Sequence, residues 1–429
     1  EQAAALEEGG ADYILIETSI DIQETRAALL AAKEATRLPV ICQLSYSEDG
    51  RTVTGTDPET AAVTLDALGA DIIGVNCSLG PEQLLPIVKL LAQNTDKPIS
   101  VQPNAGLPQF VNGKTVFPMG PEDFARWVPD LIAAGATYLG GCCGTTPEHI
   151  RAIAAAAAQC PEAKRIPLSP RLRLTSRSRT VVIDPQLPPV LIGERINPTG
   201  KKRFKEALRN GDIEYILEQG IEQEDAGADM LDVNVGLPEI NEPDMMETVM
   251  TRLQGVTALP LQLDTTNLEA LERGLRLYHG KAMINSVNGK EESLETVLPL
   301  VAKYGGVVVG LALDEGGIPE DAEGRIRIAR KIYARAAEYG IPPEDIIIDG
   351  LAMTISTDDN SANVTLEVLR RVRDELHGHS ILGVSNISFG LPQRELINSF
   401  FFALAMKSGL SCAIINPNNE AMMAAYRSY

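Results

Sequence analysis

Tyr138-Leu-Gly-Gly-Cys-Cys-Gly-Thr-Thr-Pro-Glu-His-Ile150 reads as the end of a β-strand passing through a glycine-rich bend into the first turn of an α-helix. The apolar Tyr138 and Leu139 run into two glycines and two adjacent cysteines, and Thr146 before Pro147 supplies a cap and a first-turn proline. Cys142 and Cys143 are therefore expected at the carboxyl end of a strand. Neighbouring cysteines pair poorly across a single peptide bond, so a soft metal is the better use for them if a third ligand exists. Cys77, in Ile72-Ile-Gly-Val-Asn-Cys-Ser-Leu-Gly80, is the candidate, since it too sits where an apolar run gives way to a Gly-Pro turn and a helix.

Outward from this unit, β-like runs alternate with amphipathic helical stretches, the pattern of a parallel α/β fold. Up to residue 160 the expected strands are 13–17, 39–44, 71–76, 98–102 and 137–140. The turn that opens a strand recurs at Gly9, Gly69, Gly135 and Gly227, a sign of one βα unit used many times. From 161 to 189 six prolines mix with Arg171, Arg173, Arg177 and Arg179 and no apolar periodicity survives, so this stretch reads as a linker. Beyond it eight strands are expected, at 190–194, 230–234, 259–264, 282–285, 307–312, 346–349, 380–385 and 412–416. Their near-continuous Val, Ile and Leu content fits strands buried on both faces.

The fold class is thus α/β with two (β/α)8 TIM-type barrels. The first, 1–160, is truncated at its amino terminus, with about five of eight strands present; the second, 190–429, is nearly complete with its last helix cut short. Both ends of the chain read as cut inside helices.

Composition narrows the function. With 38 basic against 58 acidic residues in 429, the formal charge of −20 argues against a nucleic-acid partner. No run is long enough to span a membrane, no signal peptide is visible, and six cysteines without regular spacing fit a reduced, cytoplasmic protein.

The chemistry follows from topology. Working residues of such barrels stand at the carboxyl ends of strands, and alternate strands contribute to one layer. Cys77, two strands before Cys142 and Cys143, can then meet them around one zinc ion with a fourth position open to a substrate thiol. The alternative is that all are inert core thiols, the reading given to Cys42, Cys160 and Cys412. His149, in the first turn of its helix, is expected to cap or pack. In the second barrel Glu194, Asn197, Asp232, Asn234, Asp264, Asn285, Asp349 and Asn386 all fall at strand ends. Inward acids and amides without a Cys or His cluster suit a heterocycle with donors and acceptors, such as a pterin; the alternative is that they satisfy loop amides. Lys201 and Lys202 read as a solvated surface pair, or as partners for a glutamate tail.

At these residues a resemblance becomes definite. Asn76-Cys-Ser, Gln102-Pro-Asn-Ala-Gly106 and Gly140 to His149 resemble the homocysteine-binding barrel of zinc-dependent homocysteine methyltransferases. Gly193-Glu-Arg-Ile-Asn-Pro-Thr-Gly-Lys-Lys202, Leu263-Asp-Thr-Thr-Asn267, Ile284-Asn-Ser286 and Gly383-Val-Ser-Asn-Ile-Ser-Phe-Gly390 resemble the pterin-binding methyltransferase barrel. In this order the two are similar to the amino-terminal half of the cobalamin-dependent methionine synthase family. The resemblance implies zinc on Cys77, Cys142 and Cys143; Glu17 on the homocysteine amino group; Asp264, Asn285 and Asp349 on the pterin; and Asn386 near its N5, with Asp232 and Asn234 lining the same pocket. Asn386 and Asp264 are the catalytic candidates, and 5-methyltetrahydrofolate is the implied methyl donor. Three strands of the family's first barrel have no counterpart, and no Asp-x-His-x-x-Gly occurs, so the cobalamin-binding module the resemblance implies as partner lies outside this chain. Folate-dependent methyl transfer to a separate corrinoid protein, and a non-catalytic substrate-binding fragment, are the alternatives. Dihydropteroate synthase also uses a pterin barrel, but has no use for the cysteines.

Overall fold

The computed structural model describes residues 1–161 and 167–429. Two compact units result, one of residues 1–169 with 177–179, the other of residues 170–176 with 180–429.

In the first unit, β1 (Ile14–Ser19), β2 (Val40–Leu44), β3 (Ile72–Asn76), β4 (Ile99–Gln102) and β7 (Ala136–Leu139) form a parallel sheet in that order. The five expected strands are present, each within two residues at either end. Between β4 and β7 lies a short antiparallel hairpin, β5 (Gln109–Val111) with β6 (Lys114–Val116), which the sequence reading did not contain. The crossover helices start where side chains satisfy the free amides of a first turn: Asp21 accepts from Gln23 and Glu24, and Asp57 from Thr60.

The second unit opens with β8 (Leu172–Thr175) and β9 (Thr180–Ile183), an antiparallel hairpin, followed by eight parallel strands that close into a barrel. These are β10 (Val190–Ile196), β11 (Met230–Val233), β12 (Leu261–Asp264), β13 (Met283–Asn288), β14 (Val307–Leu311), β15 (Ile346–Asp349), β16 (His379–Gly383) and β17 (Cys412–Ile415). Every strand expected from sequence is there, and β17 pairs back onto β10 through Val190 and Cys412.

The hairpin changes the reading of 161–189 as a linker. Leu172, Leu174, Val181 and Ile183 are buried in one cluster with Ile192, Met230, Met283, Val307, Ile347, Ile381 and Cys412. Thr175 exchanges hydrogen bonds with Lys281, just ahead of β13, so the hairpin plugs the amino-terminal end of the barrel. Gly280 permits this approach, because a Cβ there would stand 2.0 Å from the Thr175 carbonyl oxygen. Residues 162–166 of the linker reading lie outside the described residues.

Candidate functional site

In the first unit the thiols are brought together by the chain leaving β4. Cys77 follows β3 directly, in the left-handed region at φ +62°, and donates its N–H to the Gln102 carbonyl at 3.1 Å. After β7, the Cys142 N–H donates to the Pro103 carbonyl at 2.8 Å and the Cys143 N–H to Asn104 Oδ1 at 3.1 Å. Gly144 completes the bend at φ +80°, where a Cβ would lie 2.4 Å from Phe117, so glycine is required by conformation and by space. The sulfurs of Cys77, Cys142 and Cys143 all lie within 4.8 Å of one another, with Cys77 and Cys143 3.8 Å apart. Ligands about 2.3 Å from a tetrahedral zinc stand roughly 3.8 Å apart, so the donor set fits that ion.

Without a cation the cluster resists ionisation. Burial first, and then the neighbouring Cys77, push the Cys142 thiol up to about 12, and burial likewise raises Cys143. A divalent ion reverses that sign by stabilising each thiolate.

Glu17, on β1, reaches this cluster through Asn76, a fully buried residue that the sequence reading gave no role. Asn76 Nδ2 donates to Glu17 Oε2 at 3.2 Å and to Thr18 Oγ1 at 2.8 Å, and lies 3.9 Å from Cys142 Sγ; its Oδ1 accepts from the Thr18 N–H at 2.8 Å. Thr18, β-branched yet at φ +56°, is held by this pair of bonds.

His149 caps and packs. Its Nδ1 accepts from the Thr146 N–H, which leaves Nε2 to donate to the Met119 carbonyl at 2.9 Å, and its ring stands edge-on to Phe124. Cys42 and Cys412 are buried, and the half-buried Cys160 donates to the Ala156 carbonyl.

In the second unit the polar strand ends cluster at the carboxyl end of the barrel. Asp264, closing β12, accepts from Asn234 Nδ2 at 3.0 Å and from Asn197 Nδ2 at 3.4 Å. Asp232, on β11, accepts from the buried Gln262 Nε2 at 2.7 Å. Burial first, then the charge of Asp264, hold Asp232 well above the usual carboxylate range, and burial raises Asp264. Glu194 is pushed up by burial against the opposing charge of Lys201, and accepts from the Ser385 hydroxyl at 3.4 Å. Asn285 sits beside Asp264 in register. Asp349 closes β15; burial raises its carboxyl to about 6, opposed by the Leu351 N–H that donates to it at 2.8 Å. Arg325 fixes the following bend by donating to the Gly350 and Leu351 carbonyls. Asn386 stands exposed in the 3-10 turn Val384–Ser388 after β16, one residue beyond the Ser385 that bonds Glu194.

Asp264, Asn234, Asn197 and Asp232 thus form one group. Asp349 and Asn386 are not hydrogen-bonded to it among the described residues. Lys201 departs from the surface-pair reading: its Nζ turns in to donate to the Glu194 carbonyl at 3.0 Å, whereas Lys202 is exposed. Asn234 and Asp264 also line a cavity of about 690 Å³ that runs outward past Thr265 and Glu242. The sequence reading gave Gln262 and Glu242 no role, and Thr265 entered it only within the motif Leu263–Asn267. Gln262 was within reach of it, since it lies two residues before Asp264 and so on the same inward face of β12.

Residues 193–416, more than half the chain, match the family model for Pterin binding enzyme. The chain belongs to that family. Residues 1–157 match the model for Homocysteine S-methyltransferase. Methionine synthase of Mycobacterium leprae (strain TN) is 34% identical over 442 residues, covering 97% of this chain and 36% of that protein. The Mycobacterium tuberculosis methionine synthase is 34% identical over 435 residues with the same coverage. The chain therefore spans about a third of the length of the curated relatives it matches. Among solved structures, dihydropteroate synthase of Xanthomonas albilineans with 4-aminobenzoic acid is 21% identical, with a TM-score of 0.48 over 61% of this chain and 97% of that one.

Proposed function

We propose that this chain holds the two substrate sites of a methyl transfer from 5-methyltetrahydrofolate to homocysteine, by way of cobalamin carried on a module outside it, giving methionine and tetrahydrofolate. The observation that carries the reading is the meeting of Cys77, Cys142 and Cys143 in a chain whose other unit is a pterin-family barrel with acids and amides at its strand ends. Neither half alone calls for the other. Together they match a thiol acceptor and a folate donor.

In the first unit, Cys77, Cys142 and Cys143 would hold zinc. A zinc ion bound there leaves a fourth position for the homocysteine sulfur and keeps that sulfur a thiolate at neutral pH. Glu17, held by Asn76, faces the homocysteine amino group. In the barrel, Asp264 and Asp349 accept from the pterin amino group and ring N–H, Asn285 and Asn234 line the ring, and Asp232, Glu194 and Asn197 set the field around it. The N5 amine is a poor leaving group and needs a proton as its bond to the methyl carbon breaks. Asn386, whose amide cannot supply that proton itself, orients a water that does, and Asp264 tunes the field.

The test is composition and binding on the intact chain. Elemental analysis is expected to find one zinc per chain, lost in Cys142→Ser, and calorimetry to find 5-methyltetrahydrofolate binding that survives that substitution. Asn386→Ala is expected to slow methyl transfer to free cobalamin while leaving homocysteine chemistry intact. Metal-free protein purified without chelators, or absent folate binding, overturns the reading.

A further inference from the structure

Thr265, the residue after Asp264, is a junction. It is 7% exposed. Its N–H donates to the Asn285 carbonyl at 3.1 Å, its Oγ1 accepts the Asn267 N–H at 2.9 Å, and its hydroxyl donates to Glu242 Oε1 through a short hydrogen bond. Glu242 comes from a different crossover, the first turn of the helix Glu242–Leu253 that follows β11. Its carboxylate also lies against the loop that orients Asn234: a Cβ at Gly236 would meet Asn234 Oδ1 at 3.3 Å and Glu242 Oε1 at 3.5 Å, and the Gly236 N–H donates to that Asn234 oxygen at 2.9 Å. Asn234 in turn donates to Asp264 at 3.0 Å. One half-buried carboxylate therefore braces both approaches to Asp264, the chain beyond β12 through Thr265 and the chain beyond β11 beside Gly236.

We propose that Glu242 is a positioning residue of the pterin site: by holding the Thr265 hydroxyl it fixes the end of β12, and with it the direction in which Asp264 and Asn285 present themselves to the ring. The inference rests on the pterin reading of the barrel. Glu242 acts through Thr265 and lines the outer wall of the cavity whose inner wall is Asp264 and Asn234. A hydroxyl can donate to only one acceptor, so the brace depends on an acceptor oxygen standing where Glu242 Oε1 stands.

The test is a cycle on the full chain with 5-methyltetrahydrofolate as the titrant. E242A is expected to weaken binding about tenfold, the loss of one charge-assisted hydrogen bond, and T265V at least as much, since it also removes the acceptor of the Asn267 N–H. The double variant is expected to bind no more weakly than T265V alone, because E242A then removes a bond that is already gone. E242Q, which keeps an acceptor oxygen, and T265S, which keeps the hydroxyl, are expected to stay within about threefold of the parent. A general packing role would damage T265S, which loses a methyl group, more than T265V, which keeps the branched shape and loses only the hydroxyl. Singles that bind within about twofold of the parent, a double variant about tenfold weaker than T265V, or no rescue by T265S and E242Q each overturns the proposal. If the parent chain itself fails to bind folate, the pterin reading falls first, which separates the two failures.

Discussion

In the proposed pterin site, Asp349 would tie recognition to pH. Burial lifts its carboxyl to about 6, above the 3.8 of a free aspartate, so it loses its proton later than an exposed acid does. Only the carboxylate accepts from a ring N–H and an amino group together, so protons compete with the ligand below about pH 6. Affinity for 5-methyltetrahydrofolate is expected to be flat from about pH 8 to 7 and to fall by up to tenfold per unit for each proton taken up below 6. Burial raises the Asp232 and Asp264 carboxyls as well. In Asp349→Asn the limb is expected to lose one proton of slope, read by titration across the same range; an unchanged slope would remove Asp349 from the ring's contacts. In the first unit, Asn76→Ala leaves Glu17 and the Thr18 N–H without their buried partner, and is expected to cost about 1–3 kcal/mol in chemical unfolding. Homocysteine affinity is expected to drop with it while folate affinity holds. At this scale the sequence showed the groups that end strands, because strand ends are where apolar runs stop. It did not show Glu242 or the role of Asn76, whose partners arrive from other crossovers and leave no local pattern.

At the scale of elements, the plug at the amino-terminal end of the barrel carries an ion pair unlike the exposed ones elsewhere. Lys281 Nζ donates to both oxygens of Asp345, at 2.6 and 2.7 Å, with the two side chains only 9% and 10% exposed. The Lys281 backbone is pinned to Thr175 of the hairpin, and Tyr278 Oη donates to the Thr175 carbonyl at 2.7 Å. Burial pushes the Asp345 carboxyl up even against the charge of Lys281. Removing the lysine leaves a desolvated carboxylate, so Lys281→Met is expected to destabilise the second unit by about 3–5 kcal/mol in urea unfolding, moderated by the nearby charge of Arg173. Replacing both partners by apolar residues is expected to recover most of that loss; a double variant as weak as the single would contradict the argument from desolvation. The hairpin was not legible because each strand has four residues, too few for a period of two to stand out among the prolines and arginines around it. The barrel strands were legible because burial on both faces leaves unbroken Val, Ile and Leu runs, and the three-residue, wholly exposed β5 and β6 lacked any such signal.

For the whole molecule, the proposed chemistry divides between the two units. Each site draws its residues from one unit: Glu17, Asn76, Cys77, Cys142 and Cys143 from the first, Glu194 through Asn386 from the second. Among the described residues Phe124, Val128 and Ile153 cluster within the first unit, and the barrel interior with its plug within the second. A ligand that binds one folded unit stabilises that unit by mass action, by about 2.7 kcal/mol at a free concentration a hundred times Kd. If the cores are energetically separate, that stabilisation does not pass to the other unit. Scanning calorimetry is therefore expected to resolve two transitions. Removing zinc with a chelator is expected to lower one and leave the other in place, and 5-methyltetrahydrofolate is expected to raise only the transition that the chelator leaves alone. Cys142→Ser is expected to mimic the chelator, and Asp264→Asn to abolish the folate shift without touching the zinc-dependent transition. A single transition moved by both ligands would mean that the units fold as one body, and that occupancy of the thiol site is felt at the pterin site.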